Sequence, residues 1–82
     1  MAKLLYFADL VDRLGRTSEE LALPVEVNTV ETLLAWLRRR GGAWEQALQA
    51  DAVRVTVNKQ FSVPTAGVKN QDEIAFVPTR PV

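Results

Sequence analysis

Thr29-Val30-Glu31-Thr32-Leu33-Leu34-Ala35-Trp36-Leu37-Arg38-Arg39-Arg40-Gly41-Gly42, residues 29–42, is the stretch that decides the fold. Val30, Leu33, Leu34 and Leu37 recur at i, i+3, i+4 and i+7, which puts their side chains on one face of an α-helix. Thr29 is the N-cap, and Glu31 lies in the first turn, where negative charge is favoured. Arg38-Arg39-Arg40 and then Gly41-Gly42 close the pattern. Cations there complement the carbonyl end of the helix dipole, so the basic run is read as a helix end and not as a nucleic-acid site. One aliphatic stripe needs one apolar surface to cover, and the flanking sequence supplies it as strands.

Downstream, Trp44, Ala47 and Leu48 repeat the three-to-four spacing and predict a second short helix to about Ala50. Trp36 and Trp44 are read as core or helix-to-helix packing. Val53-Arg54-Val55-Thr56-Val57-Asn58 alternates apolar with polar, the mark of a strand with one dry face. Asn58-Lys59-Gln60 is a turn, after which Phe61 and Val63 resume the alternation up to Pro64. Glu73-Ile74-Ala75-Phe76-Val77 is the closing strand, and Pro78 is expected to stop its ladder. Upstream, Leu4-Leu5-Tyr6-Phe7-Ala8 is a first strand. Asp9 caps a helical turn from Leu10 to Leu14 that Gly15 ends. Leu21, Leu23, Val25 and Val27 recur with period two and suggest a second strand, held to an edge by Pro24.

In order the elements read strand, strand, helix, short helix, strand, short strand, strand. That order predicts an α+β fold, a β-grasp, in which a mixed sheet of four to five strands packs on one main helix and a second short helix. The terminal strands are expected side by side and parallel at the sheet centre, in keeping with their continuous apolar character. The domain is placed at residues 1–77, with 78–82 as an extended tail.

Composition narrows the chemistry. The 82 residues are 48% hydrophobic and 24% charged, which fits one folded domain and is too apolar for disorder. Ten Lys and Arg balance ten Asp and Glu, which argues against a nucleic-acid partner. Cysteine and histidine are both absent. Disulfides, thiol nucleophiles, Ser-His-Asp triads, histidine acid/base catalysis and the usual zinc sets are therefore excluded. Asp72-Glu73 and Glu19-Glu20 fall in expected turns and read as solvated carboxylates, so an independent enzyme is disfavoured. No run reaches the roughly 20 apolar residues of a membrane span. No membrane partner is expected, and a cytoplasmic location is.

Taken together, four segments resemble the small subunit of molybdopterin synthase. They are Leu5-Tyr6-Phe7-Ala8-Asp9-Leu10 with Leu14-Gly15; Thr29-Val30-Glu31-Thr32-Leu33-Leu34; Val55-Thr56-Val57-Asn58-Lys59; and Gln71-Asp72-Glu73-Ile74-Ala75-Phe76-Val77-Pro78. Each is weak alone; the shared order and spacing make the likeness. The resemblance implies a ubiquitin-like β-grasp and a sulfur carrier whose chemistry lies on its C-terminal carboxylate. An adenylating, E1-like enzyme spends ATP to activate that carboxylate, and sulfur is installed as a thiocarboxylate. The tail then enters a large catalytic subunit and supplies sulfur to a cyclic pterin for molybdenum cofactor biosynthesis. No bound cofactor or metal is expected in the chain itself.

The resemblance also implies partner-binding residues. They are Phe7, Phe61 and Val77 around the sheet end, followed by the tail Pro78, Thr79, Arg80, Pro81 and Val82; core burial is the ordinary alternative for Phe7 and Phe61. The family pattern ends in Gly-Gly, which threads a narrow channel because it lacks side chains. Here the sequence reads Pro78-Thr79-Arg80-Pro81-Val82, with Val82 where the first glycine belongs, so no catalytic residue is assigned. The chain as written is expected to transfer sulfur weakly or not at all, since Pro81 is rigid and Val82 β-branched. Two alternatives stand beside this reading: a non-catalytic β-grasp binding module, and a sulfur carrier for another thiolation pathway such as that of thiamine.

Overall fold

The computed structural model describes residues 1–49 and 51–79. Their elements are β1 (Ala2–Tyr6), α1 (Leu10–Leu14), β2 (Ser18–Leu21), α2 (Val30–Arg38), α3 (Ala43–Ala47), β3 (Val53–Val57), β4 (Gln60–Phe61) and β5 (Glu73–Pro78). The strands form one sheet in the order β2-β1-β5-β3-β4. β1 and β5 run parallel, with Leu4 beside Ile74 and Tyr6 beside Phe76, and β5 is the central strand. The other pairings are antiparallel. The arrangement is the α+β, ubiquitin-like β-grasp expected from the element order, with five strands.

Helix α2 forms where the stripe predicts it. Thr29 caps it: the Thr32 N–H donates to Thr29 Oγ1 at 3.2 Å, and the Thr29 N–H donates to Thr32 Oγ1 at 2.9 Å. Val30, Leu33, Leu34 and Leu37 are all buried. They meet one face of the sheet, made by Ala2, Leu4 and Tyr6 of β1, Ile74 and Phe76 of β5, and Val53 and Val55 of β3. Burial of each such aliphatic side chain contributes about 1.5–3 kcal/mol before entropy is counted. Among the described residues the sheet's other face carries no helix.

The strand boundaries depart from the sequence reading in four places, and α3 ends at Ala47, earlier than expected. β1 begins and ends two residues earlier than the run 4–8, because Ala8 takes a positive φ of 56° and turns the chain into α1. β2 lies at Ser18–Leu21 and not over residues 21–27. Pro24 starts a turn closed by the Val27 N–H on the Pro24 carbonyl at 3.0 Å, which leaves Val25 91% exposed while Leu23 and Val27 reach the core. The period of two there reflects a loop dipping inward twice. β4 is shorter than the alternation through Val63 suggested, and β5 runs one residue further.

Pro78 pairs with Val53 inside β5. The Phe76 carbonyl accepts from the Phe7 N–H at 3.2 Å, so Pro78, two residues on, turns its missing N–H to the same side, past the end of β1. A proline is tolerated there because no ladder bond is lost.

Candidate functional site

Because side chains alternate across a strand, the residues between those facing the helices lie on the open face. Leu5, Ala75, Thr56 and Phe61 form one row across β1, β5, β3 and β4. In the next row Val77 pairs with Arg54. Phe7 follows Tyr6, which pairs with Phe76, and so comes beside Val77. Phe7 is 46% exposed and Phe61 68%, so neither is a core residue; Val77 is half-buried. The Arg54 guanidinium carbon lies 5.8 Å from the Phe61 ring centroid, between Val77 and Phe61. The sheet thus brings Phe7, Val77 and Phe61 onto one surface. Arg54, Thr56 and Leu5 were not singled out from the sequence, although the alternation in 53–58 already put Arg54 and Thr56 on the face away from the valines.

The route toward the C-terminus leaves this sheet at a fixed point. The Thr79 N–H donates to the Ala52 carbonyl and the Thr79 hydroxyl to the Asp51 carbonyl, each at 3.0 Å. Beside Pro78 is a polar hollow of about 340 Å³ lined by Asp9, Arg13, Gln46, Gln49, Asp51 and Ala52. Asp9 Oδ1 is buried without a partner among the described residues. Arg80, Pro81 and Val82, assigned to the tail from the sequence, lie outside the described residues, as does Ala50 at the expected end of the second helix.

The titratable groups that depart from ordinary behaviour belong to the frame and not to this face. Glu19 pairs opposite Leu4 on the helix side of β2. It accepts a bond from the Tyr6 hydroxyl at 2.7 Å and a two-pronged pair from Arg40 at 2.9 Å each, with Arg16 at 3.3 Å. Burial alone would raise the Glu19 carboxyl, but the Arg40 and Tyr6 bonds and the two guanidinium charges outweigh it and hold it below the ordinary value. Burial pushes the Tyr6 hydroxyl well up, and the Glu19 carboxylate beside it adds to the rise. The Glu19 bond raises Arg40 against its own desolvation. Arg40 also stacks 4.3 Å from the Trp44 centroid, and Trp44 meets Tyr6 edge-on.

The basic run is accounted for in the same way, since Arg38 donates to the Leu48 carbonyl at 2.9 Å. Asp72, expected in solvent, is only 6% exposed; it accepts from Asn58 Nδ2 at 3.0 Å and the Lys69 N–H at 2.9 Å. Glu19 likewise is not a solvated turn residue. Both carboxylates are tied to structural partners, and among the described residues no group of acidic side chains is placed to hold a metal ion. No described helix is long and apolar enough to cross a membrane.

Comparison with known proteins bears on the whole domain. The model of the ThiS family matches residues 4–80. The molybdopterin synthase sulfur carrier subunit of Haemophilus influenzae is 31% identical over 78 residues, covering 95% of this chain and 94% of that protein. Among solved structures, SAMP1 of Haloferax volcanii superposes with a TM-score of 0.78 at 23% identity, over 99% of this chain and 94% of that one. A Pyrococcus furiosus protein assigned as molybdopterin converting factor, subunit 1, gives a TM-score of 0.76 at 24% identity, over 99% and 97%. The two structures speak for the fold; the family match and the Haemophilus relative span nearly the full length, and the chain belongs to the ThiS family.

Proposed function

We propose that this chain is the small, sulfur-carrying subunit of a molybdopterin synthase. In this reading the open face docks on the large catalytic subunit, and the segment beyond Thr79 is aimed into that subunit's active site. The observation that carries it is the position of β5. β5 is the central strand, and its end at Pro78 lies beside Phe7 and Val77, with Phe61 one row back on the same face, so a chain end continuing from Thr79 starts next to the surface that docks. Exposed phenylalanines around an arginine are the residue types that dominate protein interfaces.

The chemistry belongs to the chain end. An adenylating, E1-like partner uses ATP to convert the terminal carboxylate to an acyl adenylate with release of pyrophosphate, and sulfur at the sulfide level displaces AMP to leave a thiocarboxylate. Sulfur held on a protein terminus reaches its acceptor at high effective concentration. In this reading the body aims the chain end and takes no part in the chemistry: its perturbed groups, Tyr6, Glu19 and Arg40, bind one another.

Calorimetric titration with the large subunit tests the docking half. Phe61→Ala is expected to weaken association about tenfold or more, as for a central aromatic anchor, with unchanged thermal stability. Unchanged affinity would remove Phe61 from the interface. The alternative of a binding module without chemistry draws on the same exposed face, because that surface is complete without the tail. Intact-mass detection of a thiocarboxylate separates the two readings.

A further inference from the structure

On the sheet edge opposite β2, β3 is only half covered. β4 is two residues long, and the Ser62 N–H adds one bond to the Val55 carbonyl at 3.0 Å. Two residues on comes Pro64, which has no N–H to donate. Its carbonyl is taken by the Glu31 N–H at 2.9 Å, so the chain turns away toward α2. The orientation of β3 follows from its inner side. Ala52 accepts from Thr79 and Asn58 donates to Glu73, so the even-numbered positions face β5 and Val53, Val55 and Val57 face the free edge. Among the described residues the Val53 carbonyl has no partner on that edge.

Beside this edge, between β3 and α2, runs a groove of about 560 Å³. Val30, Leu34, Val53 and Val55 line it, with Phe61 and Val63 at its outer wall, both of them exposed. Glu31 and Arg38 line it from α2, and their seven-residue separation is about 10 Å along the helix. That length matches about three residues of extended chain. The groove therefore offers a backbone edge, an apolar wall and opposite charges at its two ends.

We propose that this edge takes an extended segment of a partner protein as an added strand. The segment brings aliphatic side chains into the groove, a carboxylate to the Arg38 end and an ammonium or guanidinium to the Glu31 end. The groove shares Phe61 and Arg54 with the open face but makes no use of the C-terminal segment, so it stands whether or not the chain carries sulfur.

Amide-resolved NMR titration of the full chain tests this with two probes, acetyl-Lys-Thr-Val-Thr-Asp-amide and acetyl-Asp-Thr-Val-Thr-Lys-amide, which put the charges and the valine on one face of the strand and present the same charges in opposite strand directions. One of them is expected to bind below about 1 mM and to shift the amides of Val53, Val55 and Leu34. Arg38→Glu is expected to weaken that probe about three- to fivefold. Should the variant fail to fold, N-methylating alternate peptide nitrogens of the probe must abolish binding with the protein untouched. Binding that survives N-methylation at both alternations overturns the proposal, as does the absence of shifts with either probe. Shifts at these amides that grow with protein concentration alone would assign the edge to a second copy and overturn it equally.

Discussion

Glu19 shows how one residue can tie the frame together while looking, in sequence, like a surface charge. It joins β1 through Tyr6 and the end of α2 through Arg40, and Trp44 of α3 stacks on the same guanidinium. The fold favours the ionised carboxyl, whose ordinary value is 4.5. Its contribution is therefore complete above that value and is lost as pH falls through the lower folded one. Urea unfolding should show Glu19→Gln costing ~1–2 kcal/mol near neutrality, the gap to the parent closing below about pH 4. Tyr6 runs the other way. Its hydroxyl is raised in the fold above the ordinary 10.0, so its stabilisation is complete below that value and fades as pH rises beyond it. Tyr6→Phe should lose ~1 kcal/mol near neutrality and should unfold less steeply than the parent above about pH 10. Parallel stability curves for parent and variant at alkaline pH would show that Tyr6 does not set that limb.

At the scale of elements, the structure obeys two local signals closely. The aliphatic stripe of 30–37 and its Thr29 cap are legible because a 3.6-residue period and a capping hydroxyl are properties of the helix alone. Thr29→Ala should cost about 1 kcal/mol with an unchanged urea slope. The hairpin between β3 and β4 is the second. Asn58 and Lys59 both have positive φ, 52° and 71°, as a two-residue turn of this hand requires. Lysine is strained there, so Lys59→Gly should raise stability by about 0.5 kcal/mol, measurable as a higher urea midpoint. What could not be read from local pattern is whatever depends on a distant partner. β2 is set by its register against β1, Ala2 with Leu21 through Leu5 with Ser18, and not by the apolar alternation that continues into the turn at Pro24. Glu19 and Asp72 are drawn inward by Arg40 and Asn58, which lie 21 and 14 residues away in sequence. The open-face residues Phe7, Phe61 and Val77 were nameable from the resemblance, but that they share one side of the sheet follows only from the pairings of β5 with both neighbours.

For the molecule as a whole, the division of labour between body and chain end makes a separable prediction. The described chain ends in a tether: Thr79 is bonded through both its N–H and its hydroxyl to residues 51 and 52. Five residues in extended form, Arg80 to Val82 plus an added Gly-Gly, span at most about 18 Å from that tether. If the face docks and the end reacts, the two must fail independently. With the adenylating enzyme, ATP and a sulfur donor, the chain ending at Val82 should stay unmodified, while the chain extended by Gly-Gly should gain one sulfur in place of one oxygen by intact mass. Both forms should bind the large subunit, because the exposed apolar face is common to them, and Phe61→Ala should weaken both. Efficient thiocarboxylation of the Val82 form would show that a β-branched end after proline passes the activating site. Loss of large-subunit binding without the added glycines would move the affinity from the sheet to the tail, and with it the role assigned to Phe7, Phe61 and Val77.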